Sequence, residues 1–333
     1  MPEPAETPKG GKGMKEKVLV VGGAGYIGSV AVSMLLDAGH EVAVFDSLER
    51  GHREAVDDRA VFFQGDLADR PRIFEVCRRF EPSVAMHFSA YALVGESMEH
   101  PSLYFRNNFC SGLHLLDALV EVRTRMLVFS STCATFGIPT EIPITESCPQ
   151  APTNPYGESK LMFEKALRWY DEIHGLRSVA LRYFNAAGAT ERLGEDHDPE
   201  THLIPNVLRV ALGKSPHVPI FGTDYPTPDG TCIRDYIHIV DLCEAHLLAM
   251  NLERSERYNL GNGEGYSVLQ VIEAAREVTG HPIPVKKEKR RPGDPPCLVG
   301  SSEKIRRELG WRPRHPDLKE IIQSAWHWHR RHP

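Results

Sequence analysis

Tyr156 and Lys160 stand four residues apart in the run Asn154-Pro155-Tyr156-Gly157-Glu158-Ser159-Lys160. If this run opens a helix, the phenol and the ammonium share one face. A phenol has a pKa near ~10 and is a poor base at neutral pH. A nearby cation favours the phenolate and lowers that value. A hydroxyl beside the phenol would hydrogen-bond the reacting oxygen and share its proton, and Thr132, at the end of Ser130-Ser131-Thr132, supplies one. The set Thr132, Tyr156 and Lys160 is therefore the candidate catalytic group. Tyr-x-x-x-Lys alone arises by chance in many helices, so the surrounding elements decide whether it does chemistry.

The strongest of these elements is Val18-Leu19-Val20-Val21, which reads as a buried parallel strand. Gly22, Gly25 and Gly28 follow, and an apolar-periodic helix is expected from Tyr26 to Ala38. Gly22 permits a sharp turn off the strand, Gly25 lets a pyrophosphate approach the backbone, and Gly28 lets the helix pack closely on the sheet. The helix then points free N–H groups and its positive dipole end at the phosphates. A second strand, Glu41 to Phe45, ends at Asp46, about twenty residues beyond the glycines. An acid there binds a ribose hydroxyl pair and repels a 2′-phosphate, which selects NAD.

The pattern repeats along the chain. A strand over 60–64 ends in Gly65-Asp66-Leu67, where Asp66 either accepts from the adenine amino group or N-caps the helix expected over 71–80. A strand over 84–88 runs into Ser89 and Ala90, small enough for close approach to the cofactor. A loop over 91–98 and a helix over 101–120 follow. In that helix one of the amides Asn107 and Asn108 can reach the loops at the strand ends. The strand over 126–129 leads to Thr132. Such alternation predicts an α/β fold, a doubly wound Rossmann-type parallel sheet with ligands at the carboxyl ends of its strands. A strand over 178–183 ends at Asn185, and His202-Leu203-Ile204-Pro205 opens another helix. A polar loop over 221–235 presents Arg234, and Arg290-Arg291-Pro292-Gly293-Asp294 offers further cations and an acid. Always-charged guanidinium groups of this kind suit a diphosphate. Helices over 241–252, 267–279 and 317–328 read as packing elements. His327, His329 and His332 read as a polar helix end, and no metal centre is expected. The expected organisation is a flexible leader over 1–16, an NAD-binding domain over 17–185 to which a segment over about 234–262 returns, and a smaller C-terminal α/β substrate lobe over 186–333.

Composition excludes several classes of function. The chain has 333 residues, 41% of them apolar and 25% charged, with a net charge of −6. This balance gives no electrostatic case for nucleic acid or an anionic membrane, so neither is expected as a partner. No apolar run approaches the ~18 to 20 residues of a membrane span. The stretch from Met1 to Lys17 is rich in Pro, Gly, Glu and Lys and lacks the apolar centre of a signal peptide. The cysteine count of 7 is odd and contains no Cys-x-x-Cys pair, which suggests reduced thiols and a cytoplasmic location.

Together these motifs resemble the extended short-chain dehydrogenase/reductase family, in its UDP-glucose 4-epimerase branch. The matching runs are Gly22-Gly23-Ala24-Gly25-Tyr26-Ile27-Gly28-Ser29, Leu93-Val94-Gly95-Glu96-Ser97, Pro155-Tyr156-Gly157-Glu158-Ser159-Lys160, Leu181-Arg182-Tyr183-Phe184-Asn185 and Arg234-Asp235-Tyr236-Ile237-His238. They span the chain from about Lys17 to its end. The resemblance implies tightly bound NAD and a UDP-sugar substrate, with UDP-galactose and UDP-glucose interconverted through a transient 4-keto sugar. It implies that Tyr26, Ile27, Ser47, Leu67, Phe88, Ser130 and Tyr183 join Gly22, Gly25, Asp46, Asp66, Ser89, Ala90, Asn107, Tyr156 and Lys160 around the cofactor. On the substrate side it implies Thr132, Asn185, Leu203, Phe221, Arg234, Arg291, Asp294 and Leu298. Asn185, Arg234 and Arg291 would hold the diphosphate and Asp294 a ribose hydroxyl.

The chain departs from the family pattern at several positions. Thr132 replaces a serine but keeps the hydroxyl. Ala92 stands where some members have a lysine, and His202 where some have an amide on the uridine diphosphate. Leu298 replaces the tyrosine of strictly glucose-specific members and leaves room for an acetamido group, so UDP-N-acetylhexosamines are expected as further substrates. The related 4,6-dehydratases and decarboxylases need an acid just after the catalytic Thr or Ser, whereas Cys133 and Ala134 follow here. Epimerases of UDP-pentoses or UDP-uronates stay open as alternatives, as does a non-catalytic NAD-binding regulatory protein. The family commonly pairs as a homodimer through two long helices, here roughly 101–120 and 156–174.

Overall fold

Branched aliphatic side chains stiffen an extended backbone and pack well on a pleated surface, and Val18 to Val21 accordingly form the buried heart of strand β1, Lys17–Val21. Around it lie β2 (Glu41–Asp46), β3 (Val61–Gln64), β4 (Val84–His87), β5 (Met126–Thr132), β6 (Arg177–Tyr183) and β7 (Glu256–Leu260). They form one seven-stranded sheet in the order β7-β6-β5-β4-β1-β2-β3, parallel throughout. The chain starts in the middle and winds both ways, so the strand order reverses beside β1, where a crevice opens at the carboxyl ends. The register aligns Val21 with Phe45 and with His87. Gly22, Asp46 and Phe88 therefore leave the sheet side by side. Thr132 is paired with Tyr183.

The coordinates are a computed structural model that describes residues 15–291 and 294–332. The expected leader over 1–16 lies, as far as residue 14, outside the described residues, as do Pro292 and Gly293. Glu16 is tied down: its carboxylate accepts from Arg125 at 2.7 Å and from the Ser83 hydroxyl. The body of the fold thus begins at least one residue before the expected boundary.

Helices cover both faces of the sheet. On one face α1 (Tyr26–Asp37) packs with a helix over Ile239–Ala249 against Val18, Val20, Val44 and Met86. On the other, α2 (Arg70–Phe80), a helix over Gly112–Glu121 and α3 (Pro155–His174) cover Leu19, Phe45, Leu127 and Phe129. A separate apolar cluster lies among the helices Leu203–Ala211, Val268–Thr279 and Leu318–Arg331. Short strands tie this second region together. Ile233–Arg234 runs parallel to Cys297–Leu298 and antiparallel to Tyr266–Ser267, and Val218–Phe221 runs parallel to Val285–Glu288. Among the described residues, no helix is long and apolar enough to cross a membrane.

The structure corrects two local expectations. The helix expected over 101–120 is interrupted: Pro101–Tyr104 passes into a widened π turn over Phe105–Ser111 before the regular helix resumes at Gly112. Within this turn the buried Asn108 amide bonds both the N–H and the carbonyl of Tyr91, each at 2.9 Å. Nor is Asp66 a helix cap. Asp69 caps α2 by accepting from Arg72 N at 3.1 Å, while exposed Asp66 accepts from Ala68 N at 2.8 Å. At the C-terminus, the His332 ring bonds the Trp328 carbonyl at 3.0 Å and stacks on the Trp328 indole, with centroids 4.6 Å apart.

Candidate active site

The glycine turn after β1 has the form an anion site needs. Gly22 has φ +81°, a conformation that side chains with a Cβ rarely adopt. A Cβ on Gly28 would lie 2.1 Å from the Gly22 carbonyl oxygen, so this glycine is required by packing alone. At Gly25 the nearest heavy atom to an added Cβ is 3.6 Å away, so space is kept open there. Helix α1 begins beside it with no side-chain cap and no acid in its first turn. Its first N–H groups and its positive end are left for an anion. Asp46 closes the far side. Its carboxylate is fixed by Ala24 N and Leu48 N, both at 2.9 Å, at the end of β2. An open backbone cradle, an uncapped helix start and an oriented acid are the parts that fit the pyrophosphate and ribose of NAD.

Several expected cofactor residues are tied down by hydrogen bonds. Phe88 N and Ser89 N bond the Val21 carbonyl at 2.8 and 3.1 Å, which turns Ser89 and Ala90 across the strand ends. The Ile27 carbonyl accepts from the Cys243 thiol at 3.6 Å, and the Leu67 carbonyl bonds His114 at 2.8 Å. The exposed Ser47 hydroxyl accepts from Glu49 N. Tyr26 is placed differently from the others. Its hydroxyl donates to Gly188 O at 2.6 Å, binding α1 to the second half of the chain. Asn107 serves Asn108, donating to its amide oxygen at 3.1 Å, and Asn108 in turn donates to Ser159 Oγ at 3.1 Å on α3.

The strand end of β5 and the first turns of α3 carry the catalytic candidates. Asn154 caps α3 by accepting from Gly157 N at 2.8 Å, and Pro155 occupies its first turn. This start fixes Tyr156 against Thr132 and Lys160 beneath Ser130. The Lys160 ammonium is buried; it donates to the Ser130 carbonyl at 2.8 Å and lies 4.7 Å from the centre of the Phe129 ring. Burial lowers its pKa to about 7, against the pull of Glu164 one turn along. Tyr183 and Ser130 join their hydroxyls beside it. Tyr156 does not follow the sequence expectation of a lowered pKa. Burial pushes its phenol up to about 12, and the Thr132 hydroxyl bonded to it opposes that shift. In the chain alone desolvation outweighs the Thr132 hydrogen bond, and the Lys160 ammonium is turned to a backbone carbonyl.

Beneath this group lies a part that sequence reasoning missed. Glu164 accepts from Arg182 Nε at 2.9 Å and Nη2 at 2.6 Å, and from Ser131 Oγ at 2.5 Å. Both ions are buried. The pair locks α3 to β6 and β5 at the level of the reacting groups. Glu164 lies one helical turn beyond Lys160, so the spacing was visible, but its partner on another strand was not.

Among the expected substrate residues, Arg234, Leu298 and Asp294 are brought together by the second region's short strands. Arg234 and Leu298 are direct register partners. The Arg234 guanidinium donates to Ile233 O at 2.7 Å and forms an ion pair with Asp294. Asp294, expected on a ribose hydroxyl, is thus already engaged with the arginine expected on the diphosphate. The Arg291 guanidinium lies 4.0 Å from the centre of the Phe221 ring. Asn185 donates its side-chain amide to Asp235 O at 2.9 Å. Leu298 packs with Cys133, Phe136, Ile144 and Phe184. Leu203 opens the helix Leu203–Ala211. The His202 ring faces two carboxylates, Glu195 and Glu200, each at 2.8 Å, rather than serving as a free polar group. Near Ala92, Arg50 lies across the loop, 5.7 Å from the Tyr91 ring centre and 3.5 Å from Glu96. Asp235 is a further residue that sequence reasoning passed over. It is fully buried, and its carboxylate accepts from Asn262 N, Gly263 N and Gly300 N at 2.8, 3.1 and 3.2 Å.

Comparison with known proteins agrees with this geometry. The profile of the NAD dependent epimerase/dehydratase family matches residues 18–261. A UDP-glucose 4-epimerase of Streptococcus mutans is 53% identical, over 95% of this chain and 97% of its own length. The crystal structure of UDP-glucose 4-epimerase from Brucella ovis in complex with NAD superposes with a TM-score of 0.90 at 44% identity, covering 93% of this chain and 97% of that one. A UDP-Glc/GlcNAc 4-epimerase of Campylobacter jejuni has a TM-score of 0.85 at 37% identity, covering 95% and 99%. The chain accordingly belongs to the NAD dependent epimerase/dehydratase family, in the branch of the UDP-glucose 4-epimerases.

Proposed function

We propose that the chain interconverts UDP-galactose and UDP-glucose by inverting the sugar at C4 through a transient 4-keto form, with Thr132, Tyr156 and Lys160 as its catalytic residues. The observation that supports this reading is that Tyr156 and Lys160 on α3 meet the end of β5, the phenol at the Thr132 hydroxyl and the ammonium at the Ser130 carbonyl, in a sheet whose first strand ends in the glycine turn. NAD, when bound, supplies a reversible hydride acceptor and a positively charged ring that favours the phenolate. Tyr156 takes the proton of the sugar 4-hydroxyl and returns it, with the Thr132 hydroxyl bridging between them. Lys160 holds positive charge below the phenol and fixes the Ser130 strand end. Arg234, Arg291 and Asn185 anchor the diphosphate. Anchoring must be strong there and weak on the hexose, so that the keto sugar can present its other face. The NAD-binding half, residues 17–185 with a returning segment over about 234–262, and the nucleotide-sugar lobe over 186–333 divide these tasks.

A wider substrate range has its own support. Leu298 clusters with Cys133, the residue after Thr132, and the Campylobacter jejuni neighbour is named a UDP-Glc/GlcNAc 4-epimerase. UDP-N-acetylhexosamines are therefore included in the proposal. The working unit is a homodimer paired through α3, on which Trp169 and Ile173 lie four apart and exposed. The cytoplasm is the proposed location.

The test is a coupled assay of purified protein with UDP-galactose and no added cofactor, read as UDP-glucose formed. Turnover is the expected result and would also mean that NAD co-purifies. No turnover even after NAD is added would overturn the reading. Light scattering that gave a monomer would overturn the dimer.

A further inference from the structure

A cluster of two imidazoles and two carboxylates lies in the loop that precedes the helix Leu203–Ala211. Glu195, His197, Glu200 and His202 each offer one ligand atom, and these atoms all lie within 4.8 Å of one another. The sequence order is Glu-x-His-x-x-Glu-x-His. His202 Nδ1 is 2.8 Å from Glu195 Oε1 and 2.8 Å from Glu200 Oε1, and His197 Nδ1 is 3.2 Å from the same Glu195 oxygen.

These contacts are poorly served by protons alone. An imidazole Nδ1 carries a single hydrogen or a single lone pair. Two carboxylate oxygens at equal distance from it compete for one hydrogen, and a lone pair would repel both. Glu195 is also 95% removed from solvent by its 5% exposure, so its charge must be compensated within the protein. A cation contacted by all four groups would satisfy Glu195, Glu200 and both rings together.

We propose that Glu195, His197, Glu200 and His202 form a binding site for a divalent transition-metal ion, with zinc as the best-suited ion. Imidazole nitrogen and carboxylate oxygen are both zinc ligands, and four protein ligands close the coordination sphere. A closed sphere makes the site structural rather than catalytic. Two carboxylates balance the charge of the ion, and the proton shared with His202 leaves when the metal enters.

The position of the cluster gives the ion a task. The same loop meets the cofactor side of the sheet. His52 bonds Asp196 O at 3.0 Å, Arg50 donates to Asp198 O at 3.3 Å, and the Tyr26 ring lies 6.5 Å from that of His197. At its other end the loop delivers His202, the N-cap position of the helix that begins with Leu203. A bound ion would staple this loop between the start of α1 and the substrate lobe.

The test is elemental analysis of the untagged holoprotein after loading with excess zinc chloride and gel filtration. About one zinc per chain is the expected result. Replacement by cobalt(II) should give visible d–d bands without a thiolate charge-transfer band, because no cysteine belongs to the set. His202→Ala and His197→Ala should each weaken zinc binding by more than the ~10- to 100-fold typical of losing a second-shell partner. If either variant does not fold, Glu200→Gln, judged folded by circular dichroism, should show the same loss. His329→Ala, outside the set, should bind like the parent. No stoichiometric zinc in the parent would overturn the proposal, as would undiminished zinc in the folded ligand variants.

Discussion

The carboxylate of Glu164 and the guanidinium of Arg182 form a two-pronged ion pair, at 2.9 and 2.6 Å, buried beneath the reacting groups. Breaking a buried pair leaves an uncompensated charge, which typically costs about 3–5 kcal/mol. Glu164→Gln should therefore lower stability to urea by that order and reduce turnover as Lys160 and Ser131 lose their support. The double variant Glu164→Leu with Arg182→Met should regain most of the stability but not the activity. Urea melts beside kinetic assays give the comparison, and equal stability of Glu164→Gln and the parent would contradict it.

Tyr156→Phe keeps the ring and removes the proton carrier. Its kcat for UDP-galactose should fall by about 10²- to 10⁴-fold with little change in KM. Thr132→Val should produce a smaller fall in kcat. Retention of parental kcat by Tyr156→Phe would remove the phenol from the mechanism.

The glycines separate binding from packing. A Cβ at Gly25 makes an ordinary contact with the Gly22 carbonyl at 3.6 Å, whereas one at Gly28 meets it at 2.1 Å. Gly25→Val should fold, melt like the parent when both are compared free of cofactor, and purify with little NAD, measured from the absorbance of the extracted dinucleotide. Gly28→Ala should instead melt at a lower temperature whether or not NAD is supplied.

Leu298 gives a test of substrate range. The parent should turn over UDP-N-acetylgalactosamine as well as UDP-galactose. Leu298→Tyr should lose the first activity by more than about tenfold, since a filled site rejects the bulk of the acetamido group, and keep the second. Parallel loss of both activities would place Leu298 elsewhere in the mechanism.

Lys160 gives a pH dependence. Its folded pKa is about 7 and that of an unfolded lysine about 10.4. Between these values the unfolded chain binds the extra proton, so stability rises with pH, by at most about 1.4 kcal/mol per pH unit. Below pH 7 both states carry the proton and folding bears the full cost of desolvating it. Urea melts of cofactor-free protein between pH 7 and 10 should show this rise in the parent and a flatter profile in Lys160→Met. The same slope in both would mean that the ammonium is not the source.

The doubly wound parallel sheet, the glycine turn after β1, the acid at the end of β2 and the Tyr156–Lys160 helix face are legible in the amino-acid order alone. These rest on local periodicity, backbone permissiveness and fixed spacing, which neighbouring residues settle among themselves. Only the tertiary structure decided how the pieces answer each other. It turned Lys160 to the Ser130 carbonyl and raised the Tyr156 pKa, because desolvation depends on what packs around a group. It paired Asp294 with Arg234 across a gap of 60 residues and Glu164 with Arg182 across strands. It widened the helix around Asn108, whose amide bonds Tyr91, and it gathered Glu195, His197, Glu200 and His202 around one point. Each of these depends on contacts between distant segments, which spacing along the chain does not encode.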